Sequence, residues 1–385
     1  MNDKISIILP IFNVGDHLRG GIDSLLNQTI GQENLEIIMV NDCSTDGSGE
    51  IINEYADNYD CCIAVHHEKN SGAAYTPRNT GIEMCSGDYI MFLDPDDRYT
   101  PDACETLYEA VKKYDADVAF GRFRRIFEYG GTVQKSYSPY EDDLEHVYPD
   151  ETFETANFLD IPDYIWDNFV ERFLYGKTLE VTYPRDKPLD VIHVDNIEEE
   201  PDLLKIQPSV WSKIYKRELI MDNDLRFQPF VSGDDLAFTL ESLLKAEGIV
   251  FLNNFMCYDY YIRDLPNDKS ITNTVNVRLL VELMESYTYC RKCTEGFSKN
   301  VQNVSINPHL LHWTNMWKNS PFTKKENRLL LNKVNELKKI HQTDLKTKML
   351  LSSMTTAIET AIYTSREWIK WLNMITLLLE QDCPV

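Results

Sequence analysis

Tyr89-Ile-Met-Phe-Leu-Asp-Pro-Asp-Asp97 decides how the rest of this chain is read. An apolar run, Tyr89 to Leu93, breaks off into three carboxylates, Asp94, Asp96 and Asp97. Such a run predicts a buried strand, and ligands of open α/β sheets gather outside strand C-termini. Carboxylates this close repel one another unless a cation or hydrogen-bond donors compensate them. A hard divalent ion held by two of them, with phosphate oxygens and water completing its shell, is one solution. The other is an acidic turn ahead of a helix, for which Thr100-Pro-Asp102 is a start signal.

Working outward, short β-branched runs alternate with helical patterns. Strands are expected at Ile5–Leu9 (closed by Pro10), Glu36–Val40, Cys62–His66, Tyr89–Leu93 and Asp117–Phe120. Helices are expected over 16–28, after the cap-rich loop 41–47, after Pro77, and over 101–114. This alternation predicts an α/β fold with a parallel, doubly wound sheet. Three polar loops, 10–13, 41–47 and 94–97, then share its ligand edge, which points to a nucleotide site.

The pattern breaks between about 124 and 205. Residues 128–202 hold 20 acidic side chains and five Lys or Arg, with interleaved aromatics such as Tyr137, Trp166 and Phe169. Most of these acids read as a solvated face; acid beside aromatic also suits sugar or polyol contacts, because rings stack on apolar sugar faces. Patterning returns at Ser209–Arg217. Asp234 and Asp235 then open a helix over 236–245, where carboxylates complement the helix dipole. Strands follow at Ile249–Leu252 and Met256–Tyr261. From about 275 onward the chain reads as helices over 277–289, 308–318, 324–339, 345–363 and 366–380. The division is therefore residues 1–270, carrying an acidic, aromatic insertion at about 124–205, and a helical domain over 271–385.

Composition bounds the partners. A net charge of −24 over 385 residues argues against nucleic acid and anionic membrane surfaces as non-specific partners. No basic, apolar leader precedes the first strand, and no apolar run reaches the ~18 residues of a membrane span. The nine cysteines are scattered in an odd number, as expected of reduced thiols in a cytoplasm. Cys290 and Cys293 lack a second pair and read as neighbours one helical turn apart.

Ile7-Ile-Leu-Pro-Ile-Phe-Asn13, Val40-Asn-Asp-Cys-Ser-Thr-Asp46, Lys69-Asn-Ser-Gly72, Pro77-Arg-Asn-Thr-Gly81 and Phe92-Leu-Asp-Pro-Asp-Asp97 are each short. In this order and spacing they resemble family 2 glycosyltransferases of the GT-A fold, over roughly 4–125 and again over 210–261. Asn70-Ser-Gly, Pro77-Arg-Asn-Thr-Gly and Asp234-Asp235 are most similar to the wall teichoic acid glycosyltransferases, whose helical C-terminal domains mediate homotrimers. The resemblance implies a Rossmann-like mixed, mostly parallel sheet flanked by helices, with an α-helical C-terminal domain through which the chain trimerises or dimerises.

It also implies site roles. Pro10, Phe12 and Asp42 would frame the base and ribose of a UDP-sugar donor, with Asn70 beside them and Arg78 approaching the diphosphate. Asp94 and Asp96 would be the D-x-D pair, Asp94 near the ribose and Asp96 on Mn2+ or Mg2+. Asp235 would be the base that deprotonates the acceptor hydroxyl, with Asp234 as the other candidate for that role, and the product would be inverted. Acceptors implied are a teichoic-acid-like polyol phosphate or another glycan, and alternatively a glycolipid or protein-linked glycan, met in the cytoplasm or at the inner face of the membrane. Arg122, Arg124 and Arg125 read as a solvated patch after a strand, and are also the candidates for a basic strip facing a polyanion. A nucleotidyltransferase would need a Gly-rich basic loop after the first strand, which Pro10–Gly15 lacks. An inactive nucleotide-binding or assembly subunit is the non-enzymatic reading. Pro95 between the metal-site aspartates, Gly233 before the Asp pair, and the long insertion depart from the family pattern.

Overall fold

The computed structural model describes residues 3–129, 132–137, 189–205, 209–263, 275–340 and 345–363. The strands in chain order are β1 (Ile5–Ile11), β2 (Leu35–Asn41), β3 (Cys62–His66), β4 (Tyr89–Phe92) and β5 (Arg98–Tyr99). They continue as β6 (Val118–Tyr129), β7 (Thr132–Tyr137), β8 (Val191–Val194), β9 (Lys213–Lys216) and β10 (Ile249–Arg263). The helices of the first part are α1 (His17–Leu26), α2 (Ser48–Asn58), α3 (Tyr75–Met84), α4 (Ala103–Tyr114), α5 (Arg217–Asp222) and α6 (Asp234–Lys245). Those after it are α7 (Val277–Cys293), α8 (Lys299–Val304), α9 (Asn307–Lys318), α10 (Lys324–Ile340) and α11 (Leu345–Tyr363).

The ten strands among the described residues join one sheet, in the order β3-β2-β1-β4-β9-β6-β10-β5, with β7 on β6 and β8 on β10. β3, β2, β1 and β4 run parallel. β9 is antiparallel to both β4 and β6, and β6 is parallel to β10. The sheet is therefore mixed and mostly parallel. Every residue of β1 and β2 is buried, as strands covered on both faces require.

Side chains alternate between two cores, as the two-residue strand period dictates. Ile7, Leu9, Ile37 and Met39 pack with Leu18, Ile22, Ile52 and Leu107 of α1, α2 and α4. Their neighbours Ile8, Ile38, Val40 and Phe92 face Ile82 of α3 and Phe238 of α6. Met284, Trp313, Leu330 and Ile358 of the C-terminal helices belong to this second core. Phe238 stacks on Phe227 at 4.2 Å and meets Phe92 edge-on at 5.6 Å. Truncating such a ring costs about 3–5 kcal/mol, so the floor beneath the ligand edge is stiff.

Several sequence expectations need correction. β6 does not stop at Phe120 but runs on to Tyr129. Ile249–Leu252 and Met256–Tyr261 form one strand, whose register slips between Phe251 and Met256. The predicted insertion begins later and ends earlier than its composition suggests. Val191–Val194 is a sheet strand paired with β10, and Leu203 and Leu204 are core residues. Acidic composition hid β8 because it is an edge strand, with only Val194 buried. Residues 138–188 and the helix expected over 366–380 lie outside the described residues. Among the described residues no helix is long and apolar enough to cross a membrane. Arg122 and Arg124 are not a free basic strip. Arg122 donates to the Asn253 carbonyl at 2.5 Å, and the Arg124 guanidinium is buried in a two-point ion pair with Asp259.

Candidate active site

The loops leaving β1, β2 and β4 meet at one sheet edge, together with the N-termini of α3 and α6. The loop after β1 is knitted to the loop after β2: the Asn13 amide donates to Ser44 Oγ at 3.0 Å and Thr45 N–H donates to Asn13 Oδ1 at 2.8 Å. Pro10, the last residue but one of β1, pairs with Val40 and is buried, whereas Phe12 stands 49% exposed just beyond the strand end.

Asp42 is the polar hub of this half. Its amide donates to the Ile11 carbonyl at 2.8 Å, which fixes it over the end of β1. Its carboxylate is buried and filled from two sides. His67 Nδ1 lies 2.8 Å from Oδ1, and Ser71 donates to Oδ2 from its amide at 2.9 Å and its hydroxyl at 2.8 Å. Asn70 donates to the Asp42 carbonyl at 3.1 Å, not to the carboxylate. The far nitrogen of His67 meets Thr80 Oγ1 at 3.0 Å, tying the hub to α3. Neither His67 nor Ser71 was among the sequence-predicted residues; the position of His67 directly after β3, at the same edge, was the available signal.

Arg78 is the hub of the other half. It is 5% exposed on α3. Nη2 donates to Asp94 at 2.9 Å, and Nη1 donates to Asp234 at 2.9 Å and to Asp235 at 2.5 Å. The guanidinium lies 5.2 Å from the Phe227 ring centre. Its Nε is buried without a hydrogen-bond partner. One cation thus gathers carboxylates from the end of β4 and the start of α6, which the sequence separates widely.

Burial pushes the Asp235 carboxyl up to about 7; Arg78 opposes the shift and Asp234 and Asp94 add to it. Asp234 is also raised, chiefly by burial and again against Arg78. Asp234 and Asp235 occupy the first turn of α6, whose N-cap, Gly233, has no side chain to cap it. They reach the site because Gly233, at φ +87°, turns the chain just before them. A Cβ on Gly233 would also meet Ser286 of α7 at 2.8 Å, so no bulkier residue fits.

The three carboxylates after β4 separate in role. Asp94 is half-buried on Arg78, and Asp96 is exposed at the turn. Asp97 is buried, accepting from the Tyr258 hydroxyl at 2.9 Å and the Tyr261 amide at 2.7 Å. Burial lifts its carboxyl well above the usual range, and Asp96 and Asp94 push the same way. Asp97 therefore ties the β4 turn to β10; it does not start the next helix, as an acidic turn would.

Among the described residues no group of three or more His, Cys, Asp or Glu could hold a metal ion unaided. Asp96, exposed beside Asp94, nevertheless has the hard oxygen chemistry of a cation bound through one or two carboxylates and substrate phosphates.

A mixed, mostly parallel sheet with its polar edge built this way is the GT-A transferase fold. It is shared with Staphylococcus aureus TarS 1–349 in complex with UDP-GlcNAc, at a TM-score of 0.65 and 17% identity, over 98% of this chain and 92% of that one. Residues 6–175 match the model of glycosyl transferase family 2. The glycosyltransferase GlyA of Streptococcus pneumoniae is 31% identical over 68% of this chain. The poly(ribitol-phosphate) beta-N-acetylglucosaminyltransferase TarP of S. aureus is 28% identical over 71% of this chain and 66% of its own length. Over residues 6–175 the chain belongs to family 2 of the glycosyltransferases. It spans 31% of the length of GlyA.

Proposed function

We propose that the protein is a metal-dependent inverting glycosyltransferase that moves a sugar from a UDP-sugar to a hydroxyl of a teichoic-acid-like polyol phosphate. The observation that carries this reading is the convergence of Asp94, Asp234 and Asp235 on Arg78 at the same edge as Asp42. Similarity to TarP supports the polymer acceptor, and the fold shared with a UDP-GlcNAc complex supports the donor class.

In this reading Asp42, held by His67 and Ser71, frames the base, with Pro10, Phe12 and Asn70 around it. Arg78 supplies a guanidinium for the diphosphate, where its fork suits phosphate oxygens. Asp94 lies near the ribose, and Asp96 would hold Mn2+ or Mg2+, which when bound offsets charge on the departing diphosphate. Asp235 removes the acceptor hydroxyl proton. That oxygen bonds the anomeric carbon from the face opposite the nucleotide, and the electron pair of the broken bond leaves with UDP. A single displacement with one carboxylate base inverts the configuration. Asp235 fits this task better than Asp234, because it is the less buried of the two and its pKa stands near the operating pH. The C-terminal helices would carry a dimeric or trimeric contact, measurable by light scattering, and the protein would act in the cytoplasm at the membrane's inner face.

Release of UDP from a panel of UDP-sugars tests the reading, with and without Mn2+ and with poly(ribitol phosphate), other glycans or glycolipids as acceptors. Metal-dependent release stimulated by the polyol phosphate is expected. A protein that neither binds UDP nor turns over any UDP-sugar would instead be a binding or assembly subunit.

A further inference from the structure

The turn that carries Asp94 and Asp96 lies against α1 at a glycine. Gly21 is buried, and a Cβ there would meet the Pro95 carbonyl oxygen at 2.7 Å and the Asp97 carbonyl oxygen at 3.2 Å. Glycine is the weakest helix former after proline. Its φ is not left-handed here, so the close approach of the turn, not the backbone angle, calls for it. Further along α1, Ser24 Oγ accepts from the Tyr99 amide at 3.2 Å. Gln28, just past the helix end, donates to the Thr100 carbonyl at 2.7 Å and accepts from the Cys104 amide at 2.9 Å. Residues three and four apart share a helix face, so one side of α1 is a rail along which residues 95–104 are seated.

A second set of contacts reaches the same turn from β10. The buried Tyr258 hydroxyl accepts from the Asp94 amide at 3.3 Å and donates to the Asp97 carboxylate at 2.9 Å. The Tyr261 amide fills the other Asp97 oxygen at 2.7 Å, and the Asp97 amide closes the turn on the Asp94 carbonyl at 3.0 Å. The Tyr258 ring is itself fixed, stacked on Trp211 at 4.1 Å and edge-on to Tyr99 at 5.5 Å. Asp94 is thus held twice, by Tyr258 at its amide and by Arg78 at its carboxylate. Pro95 and Asp97 are buried, and Asp96 alone stands exposed between them.

We propose that Tyr258 and Gly21 are positioning residues for the cation-binding turn: the Tyr258 hydroxyl pins it to β10, and the bare backbone at Gly21 lets it seat on α1, so that Asp96 is presented ready to bind. This deepens the reading of Asp96 as the ligand of Mn2+ or Mg2+ and rests on it. Both residues act through the frame of the turn and not on the cation. A ligand carried on a turn already fixed loses less conformational freedom when it binds, and partners behind a ligating group orient it. The contribution of the metal to donor affinity therefore depends on this clamp. The part of donor affinity that comes from the Asp42 half does not.

The test is calorimetry on the full chain, titrating UDP in chelator, UDP in saturating Mn2+, and Mn2+ in the presence of UDP. Tyr258→Phe keeps the stacked ring and removes the hydroxyl; Gly21→Ala adds one methyl against Pro95. Tyr55→Phe is the control, since it removes a hydroxyl that donates to Asp23 at 2.7 Å and ties α1 to α2 instead. Wild type should bind UDP more tightly with Mn2+ than without. Both turn variants should keep their metal-free UDP affinity, which also reports that they fold, and should weaken Mn2+ binding by about tenfold to a hundredfold. Tyr55→Phe should leave Mn2+ binding as in wild type. Should Tyr258→Phe not fold, Gly21→Ala decides alone. Wild-type Mn2+ affinity in a turn variant that binds UDP, a loss of UDP affinity equal with and without Mn2+, or the same loss in Tyr55→Phe would make the clamp a structural brace only and overturn the proposal. A wild-type protein that binds UDP equally with and without Mn2+ would instead remove the metal reading, a separate failure read before any variant is made.

Discussion

Arg78 Nη1 stands 2.5 Å from Asp235 and 2.9 Å from Asp234, while the other end of the same guanidinium holds Asp94 at 2.9 Å. A single cation compensating three buried or half-buried carboxylates makes the edge a balanced unit. Removing the cation leaves like charges facing one another. Breaking a buried pair by deleting one partner typically costs about 3–5 kcal/mol. Arg78→Met should therefore lower the melting temperature, and lower it more at pH 8 than at pH 5, because protonation relieves the repulsion. UDP release should fall by at least about a hundredfold, as for loss of a charge-stabilising group. A melt with no pH dependence beyond wild type would show that the carboxylates do not lean on Arg78.

Asp235 carries a prediction of definite sign. Its folded carboxyl, near 7, lies above its unfolded value near 4, so the folded state binds the proton more tightly. The stability that this proton confers is fully present below pH ~4 and is lost as pH rises through about 7. Asp235→Asn cannot ionise. The difference in melting temperature between this variant and wild type should therefore shift in the variant's favour from pH 5 to pH 8. The kcat of wild type should show an acid limb near pH 7, since only the carboxylate accepts a proton. A flat kcat from pH 5 to 8 would exclude Asp235 as base.

Much of this arrangement was legible in the sequence, and the reasons differ from residue to residue. Asp42 and Asp94 follow apolar runs that could only be buried strands, so their edge was readable before any contact was known. Asp235 needed the resemblance, because two acids at a helix start fit dipole complementarity equally well. Asp97 was read as part of a helix start, since nothing local reveals that Tyr258 and Tyr261, on β10, are its partners. Arg122 and Arg124 read as solvated or polyanion-facing for a similar reason. Asp259 and Asn253 reach them only when β10 lies alongside β6. β9 was seen as regular patterning, but its antiparallel direction depends on pairings with β4 and β6 that no local signal encodes.

The Asp42 hub separates donor binding from chemistry. His67 fills one carboxylate oxygen and is itself held by Thr80. His67→Ala leaves a buried acceptor short of a partner, at about 1–3 kcal/mol. KM for the UDP-sugar should rise about tenfold with kcat little changed, the pattern of lost uniform binding. Equal losses in kcat and kcat/KM would place His67 in the reaction itself.

Gly233 shows how the C-terminal helices enter the site. Ser286 of α7 donates to the Gly233 carbonyl at 2.7 Å, and Glu282, one turn earlier, accepts from the Val231 amide at 2.8 Å. The loop that aims Asp234 and Asp235 is thus held from outside the sheet. Gly233→Ala meets two separate obstacles: a left-handed φ, which costs a non-glycine residue roughly 1–2 kcal/mol, and a Cβ 2.8 Å from Ser286. The variant should lose at least about 2 kcal/mol of stability and most transfer activity, with UDP binding spared because Asp42 is untouched. Ser286→Gly in the same chain removes the second obstacle and not the first. It should restore part of the stability, by less than the full loss. If Gly233→Ala is tolerated without change in melting temperature or rate, the loop is not held by α7, and the C-terminal helices play no part in aiming the base.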